Sequence, residues 1–401
     1  MKMGERKMEK WKRSWLLLFL SIVISLAVQL FQISLERAVS AHTDHPFLVW
    51  LLPLAWIFFW LTSLPQSWRD FETTDQILRE VPSPHRPISS WLAPLIWIRT
   101  LWSHLFGASV GREGTALQIA GSLSDFAARG TGLTSEDRTA LLRAALAAGL
   151  TSAYRTPWAA FIFAIELGGV TDRRERFEAL AAAWISFGVT QLRFFPNMLE
   201  LPQIDFLWEV AADLRFWLLS LGLICVAPLY RLLYLGLNRL FRKTTYPARW
   251  AIGGAAGCTL LLLWHADPIR NLGTIMIEGA FSDAPASWLF LKKAIVTAVF
   301  CATGWFGGDF TPNMAIGAAA GSTLSTWAGF PLPVLGAALG LFLPIAFMHR
   351  ILATGWVMTL EYFGWKVAVL AIPAFIGAWL LHELLEAKLF AKLRHPHSKS
   401  H

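Results

Sequence analysis

The chain alternates long apolar runs with short breaks marked by glycine, proline or charge. Trp15–Ile33, Phe47–Leu64, Phe216–Tyr230 and Val367–Leu381 are the clearest runs. A helix needs about 20 apolar residues to cross hydrocarbon, so each run is predicted to span a bilayer or nearly so. Two other apolar stretches are interrupted. Gly107, Gly111 and Gly114 break the one that starts at Trp91, and Gly304, Gly307, Gly308 and Pro312 break the one that starts near Leu289. Unwound backbone survives in a membrane only where protein buries it or water reaches it. Both stretches therefore read as broken helices, with Pro312 in the first turn of a restarted helix, where no N–H is required. The run Gly317, Ala318, Ala319, Ala320, Gly321 reads as a close helix contact.

Composition turns that pattern into a membrane assignment. Of 401 residues, 55% are hydrophobic and 15% charged, against about 25% charged in soluble domains. The 21 tryptophans fit belts at two interfaces. Lys2, Arg6, Lys7, Lys10, Lys12 and Arg13 precede the first run, which is too long for a signal peptide, so a retained first helix with a cytoplasmic N-terminus is expected. Arg242, Lys243 and Arg249 form a second basic loop, and Lys392, Arg394, His395, His397 and Lys399 a basic tail. The formal charge of +8 is explained by insertion topology and calls for no nucleic acid. The expected organisation is a cytoplasmic segment 1–13, a membrane domain 14–390 with halves near 14–200 and 201–390, a cytoplasmic tail 391–401, and roughly ten crossings. Cys225, Cys258 and Cys301 lie in apolar stretches without metal-like spacing and read as packing residues.

The halves share a pattern. Gly111-Arg112-Glu113-Gly114-Thr115, with Gly121 beyond, matches Gly307-Gly308-Asp309-Phe310-Thr311, with Gly317 beyond; both read G-x-acid-x-T-x5-G. Further on, Tyr154-Arg155-Thr156-Pro157 through Glu166 matches His349-Arg350-Ile351-Leu352 through Glu361, with Arg eleven residues before Glu in each. Two linked matches in one order indicate a duplicated unit. Transporters built from inverted repeats aim interrupted helix starts at an anion near the midplane. An ionisable group at that depth costs about 2.5–3.5 kcal/mol on insertion scales, so Glu113 is expected to face a pathway, a partner or an ion. Glycines at 111 and 114 leave main-chain amides uncovered beside it, and bare amides at a helix start bind anions. A carboxylate where an anion could sit outlines a gate.

These residues carry a family resemblance. GREGT, AAGLTSAYRTPWAAFIFAIE and GGDFTPNMAIGAAAG resemble three hallmark regions of the CLC chloride channel and transporter family, in order, over roughly residues 88 to 365. Thr115, and Thr311 ahead of Pro312, resemble the bacterial branch that includes fluoride/proton antiporters. The resemblance implies an all-α integral membrane protein with an inverted-repeat fold and broken helices meeting near the midplane. It also implies a homodimer in the bacterial inner membrane, with Glu113 as gate. Gly111, Arg112, Gly114, Phe310 and Thr311 would surround the anion. The family's first anion-binding stretch falls near Thr74, here without glycine and beside Asp75, and its central Tyr aligns with Trp379. Relatives that carry protons inward have a second Glu after the one matching Glu166; Leu167 holds that place here.

Other readings follow from single residues. Glu113 could pair with Arg112 or Arg99, although adjacent helical residues do not face each other. Asp309, the apparent repeat partner of Glu113, is expected to support its loop, and Thr311 could cap a helix instead of binding an ion. His104 reads as a satisfied core histidine, while His42 and His45 are expected in a loop. No P-loop, nucleophile elbow, HExxH or paired-cysteine spacing is present, so neither an enzyme, a cofactor nor a metal is indicated. The expected function is halide transport, fluoride or chloride, with protons as the coupling ion. An uncoupled chloride channel and a transport-inactive membrane scaffold are the alternatives.

Overall fold

Prolines and glycines set the helix boundaries. The computed structural model describes residues 2–64, 81, 87–192, 195, 199–205, 208–265, 267–282 and 288–387, with side chains from residue 11 onward. Thr74, Asp75 and the tail 391–401 lie outside the described residues. The helices are α1 (Lys2–Asp44), α2 (Leu52–Leu61), α3 (Leu92–Leu105), α4 (Glu113–Gly130), α5 (Ser135–Tyr154), α6 (Pro157–Glu166), α7 (Arg173–Thr190) and α8 (Leu214–Val226). They continue with α9 (Leu229–Phe241), α10 (Tyr246–Leu263), α11 (Thr274–Ala280), α12 (Leu289–Ala302), α13 (Phe310–Trp327), α14 (Pro333–Leu341), α15 (Leu343–His349) and α16 (Leu352–Leu385).

Among the described residues, three stretches are long and apolar enough to cross a membrane: Trp11–Asp44, Leu214–Phe241 and Leu352–Leu385. The run Phe47–Leu64 forms a shorter apolar helix, Pro46–Leu61, which starts as a 3₁₀ turn over Pro46–Leu51 and continues as α2. Gly364, at φ 79° and ψ 175°, divides α16 into two helical parts. Arg13, towards the N-terminal end of α1, pairs with Asp137 and Glu178, tying α1 to α5 and α7. His42 falls in the last turn of α1 and is buried, not in a loop.

The duplication is built into the backbone. α3 and α12 each have 14 residues, and α4 and α13 each have 18. Before them Gly107 and Gly304 take the left-handed conformation at φ 81° and 78°. The two breaks meet as an antiparallel bridge between Gly111 and Gly308. Each amide donates to the other residue's carbonyl, as a two-fold axis between equivalent residues requires. This fixes the internal register and corrects the sequence match by one residue. The N-cap of α4 is Arg112 (φ −110°) and that of α13 is Asp309 (φ −117°). Asp309 is therefore the structural counterpart of Arg112, not of Glu113.

A second pair of equivalent contacts lies further along. Arg155 and Arg350 both take left-handed conformations, φ 58° and 60°, and end α5 and α15. Glu166, at the end of α6, accepts from the Ala353 and Thr354 amides at 3.0 and 2.8 Å, at the start of α16. Glu361 returns the contact, accepting from Trp158 N and Ala159 N at 3.0 and 2.8 Å at the start of α6. Each half thus supplies the carboxylate that covers exposed amides at a helix start of the other half. Glu361→Ala is expected to lower stability by about 1–2 kcal/mol, as loss of an N-terminal cap does. Thermal unfolding in detergent checks this against Glu383→Ala, whose half-exposed pair with Arg350 is expected to contribute little.

Candidate functional site

Glu113 opens α4 and is 1% exposed. A sealed carboxylate needs donors, and it has four. Oε2 accepts from Arg112 N at 3.1 Å and from Thr311 N at 3.2 Å. Oε1 accepts from Arg112 Nε at 3.3 Å and, over a short contact, from the Thr311 hydroxyl. Thr311 lies in the first turn of α13, so the carboxylate of one half rests on the helix start of the other. There the amide donor and the helix dipole both favour negative charge.

The contact between Arg112 and Glu113 corrects the neighbour argument made from the sequence. Adjacent residues within a helix diverge, but Arg112 is the N-cap, just outside the helix that Glu113 opens, with φ at −110°. Its guanidinium folds back over the carboxylate, with Cζ 5.6 Å from the centre of the Tyr154 ring. Its NH1 group is buried without a hydrogen-bond partner among the described residues. Arg99 is elsewhere: it donates to Thr62 Oγ1 at 3.0 Å and Ser63 Oγ at 2.8 Å.

The glycines allow the two breaks to touch. A Cβ on Gly308 would lie 3.0 Å from Gly114 N, a backbone atom that cannot swing away. A Cβ on Gly111 would lie 2.8 Å from Glu113 Oε2 and 3.0 Å from Pro312 Cδ. Gly111 and Gly114 therefore belong to the site by leaving room for it. Phe310 is buried against Tyr154, with ring centres 5.3 Å apart.

Tyr154 is the residue that sequence reasoning passed over. Its hydroxyl lies 3.2 Å from Thr311 Oγ1, and its carbonyl accepts from Tyr362 at 2.9 Å. The available signal was its repeat position. Tyr154 precedes Arg155 as His349 precedes Arg350, and His349 Nε2 lies 2.9 Å from Asp309 Oδ1. Arg112 beside Tyr154 and Asp309 beside His349 are thus the same contact with different chemistry. Trp379 makes no contact with Glu113 or Thr311 among the described residues and is 51% exposed. His104 is the satisfied core histidine expected, with ring nitrogens 2.9 Å from Thr100 O and 3.1 Å from Val110 O.

A sealed glutamate held jointly by two glycine breaks, inside an all-helical duplicated membrane fold, can be set beside known proteins. The family described as voltage gated chloride channel matches residues 51–382. The chain belongs to that family. Among curated relatives, the chloride/fluoride channel protein of Pseudomonas syringae pv. tomato is 30% identical over 416 residues, covering 96% of this chain and 88% of that protein. The H(+)/Cl(-) exchange transporter ClcA of Salmonella typhimurium is 27% identical, covering 96% and 89%. Among solved structures, a CLC-type fluoride/proton antiporter superposes with a TM-score of 0.82 at 23% identity, over 94% of this chain and 96% of that one. A slow cyanobacterial Cl-/H+ antiporter gives a TM-score of 0.71 at 17% identity. The likeness confirms an all-α CLC membrane fold.

For this voltage gated chloride channel family member, the geometry predicts a coupled pair. Thr311→Val leaves the Glu113 carboxylate short of one buried donor and is expected to cost about 1–3 kcal/mol at neutral pH. In a Glu113→Gln background the same replacement is expected to cost less. A double-mutant cycle by thermal unfolding measures the difference.

Proposed function

We propose that the chain exchanges a halide for protons across a bacterial inner membrane, with Glu113 as the gate. The observation that carries this is the seat of the Glu113 carboxylate on the Thr311 amide and hydroxyl. An incoming halide needs the same donors, so anion and carboxylate compete for one place. When Glu113 takes a proton it loses its charge and turns one oxygen into a donor, and its hold on Thr311 weakens. The released donors are then open to the anion. The anion's departure and the return of the carboxylate free the proton. Amide and hydroxyl donors bind a halide without the trapping that a bare cation would bring. The buried NH1 of Arg112 supplies a further donor.

The names of relatives support the same reading, since they speak of chloride, fluoride and proton exchange. Fluoride is small and strongly hydrated, and the Thr311 hydroxyl is the strong neutral donor it requires. A homodimer, with a separate path in each subunit, completes the proposal. The second reading is an uncoupled channel. Leu167, the helix-capping residue after Glu166, offers no proton acceptor at that place.

Reconstituted protein tests both readings. With a halide gradient across proteoliposomes, wild type is expected to move protons against the halide, while Glu113→Gln passes halide and moves none. Full proton coupling in Glu113→Gln would remove Glu113 from the gate. Halide flux without proton movement in wild type would establish the channel.

A further inference from the structure

Away from Glu113, the C-terminal end of α1 and the segment 267–275 enclose a cleft of about 130 Å³. His42, Thr43, Arg270, Asn271, Gly273 and Thr274 are among its walls.

Arg270 and Asp267, both on the cleft's lining, form an ion pair, and a further cation lies behind that lining. Arg270 NH1 is 3.0 Å from Asp267 Oδ1, but that carboxylate is 77% exposed and largely in solvent. Behind the wall lies Lys293, which is 0% exposed. Its ammonium donates to Asn271 O at 2.6 Å and Ile269 O at 3.1 Å, and no described carboxylate pairs with it. Gly273, on the cleft's lining, packs against it: a Cβ there would sit 3.1 Å from Lys293 Nζ. A buried ammonium held by carbonyls alone is an unbalanced charge that favours an anion nearby. Polar atoms of the walls are also unspent. Among the described residues, Arg270 Nε, His42 Nε2 and Asn271 Oδ1 are buried without partners. Water would satisfy such atoms but would leave the Lys293 ammonium uncompensated. The Asn271 amide can present nitrogen instead of oxygen, because the two are assigned from their partners.

We propose that this cleft is an accessory binding site for a small inorganic anion, separate from the place that Glu113 occupies. It touches the loop that leads to the gate. Asn271 N points to Gly107 O at 3.5 Å, and His42 Nδ1 lies 3.2 Å from Leu105 O. Further along the same loop, Ser109 bonds to Thr297 at 2.7 Å, one turn of α12 beyond Lys293. The site is argued from its own charges and stands whether or not Glu113 gates transport.

Calorimetric titration of the purified full chain with sodium chloride and with sodium sulfate tests the proposal and distinguishes a halide from an oxyanion. At least one of the two is expected to bind wild type and Thr311→Val alike, and to bind Arg270→Gln about tenfold or more weakly, as loss of a charged hydrogen bond implies. Arg270→Lys, which keeps the charge, is expected to retain more affinity than Arg270→Gln. Should Arg270→Gln fail to fold, His42→Gln serves in its place, because the glutamine amide can still donate to Leu105 O. Three results would overturn the site: no binding of either anion to wild type, unchanged affinity in the cleft variant, or loss of all binding in Thr311→Val.

Discussion

A charged carboxylate sealed inside a membrane protein must be surrounded by donors, and here those donors come from both halves of the chain. Glu113 draws its bonds from Arg112 in its own half and from Thr311 in the other. Neither break could satisfy it alone. Bond strength in a dry interior holds the ionised group in place, and the same dryness makes an unpaired charge costly. The proposed exchange would use two states of this site: the carboxylate seated, or the carboxylate neutral with another anion in the seat.

The rest of the fold serves the meeting of the two breaks. The Gly111–Gly308 bridge brings main chain against main chain, which only glycine permits at that spacing. Glu166 and Glu361 then lock the halves a second time, each covering amides of the other. Behind α13, an added Cβ on Gly317 or Gly321 would run into the carbonyls of Gly340 and Gly336, so α13 and α14 pack backbone to backbone. Symmetry in the scaffold has not kept symmetry in the chemistry. At one N-cap stands Arg112 beside Tyr154, at the other Asp309 beside His349.

How much of this could be read from the residues depended on what encodes it. The helix breaks were legible because glycine and proline act locally, whatever surrounds them. The convergence of Glu113 and Thr311 was legible because both stand at helix starts that follow glycine breaks. The repeat register was misread by one position because matching acid with acid follows side-chain chemistry, whereas the fold repeats backbone conformation. Trp379 was placed by alignment, and alignment does not reveal that the side chain is half exposed. Tyr154 was missed because a tyrosine at the end of a helix carries no local sign of what it will meet. The cleft at the end of α1 was invisible for the same reason: His42, Arg270 and Lys293 are far apart in the chain.

The central claim is that a halide and the Glu113 carboxylate compete for one set of donors. Proton uptake on halide binding measures that competition directly. In weakly buffered solution near neutral pH, wild type is expected to take up about one proton for each halide bound at the Thr311 site, because the displaced carboxylate is neutralised. Glu113→Gln is expected to bind halide with no uptake. Halide binding to wild type without proton uptake, at any pH where Glu113 is ionised, would contradict the account.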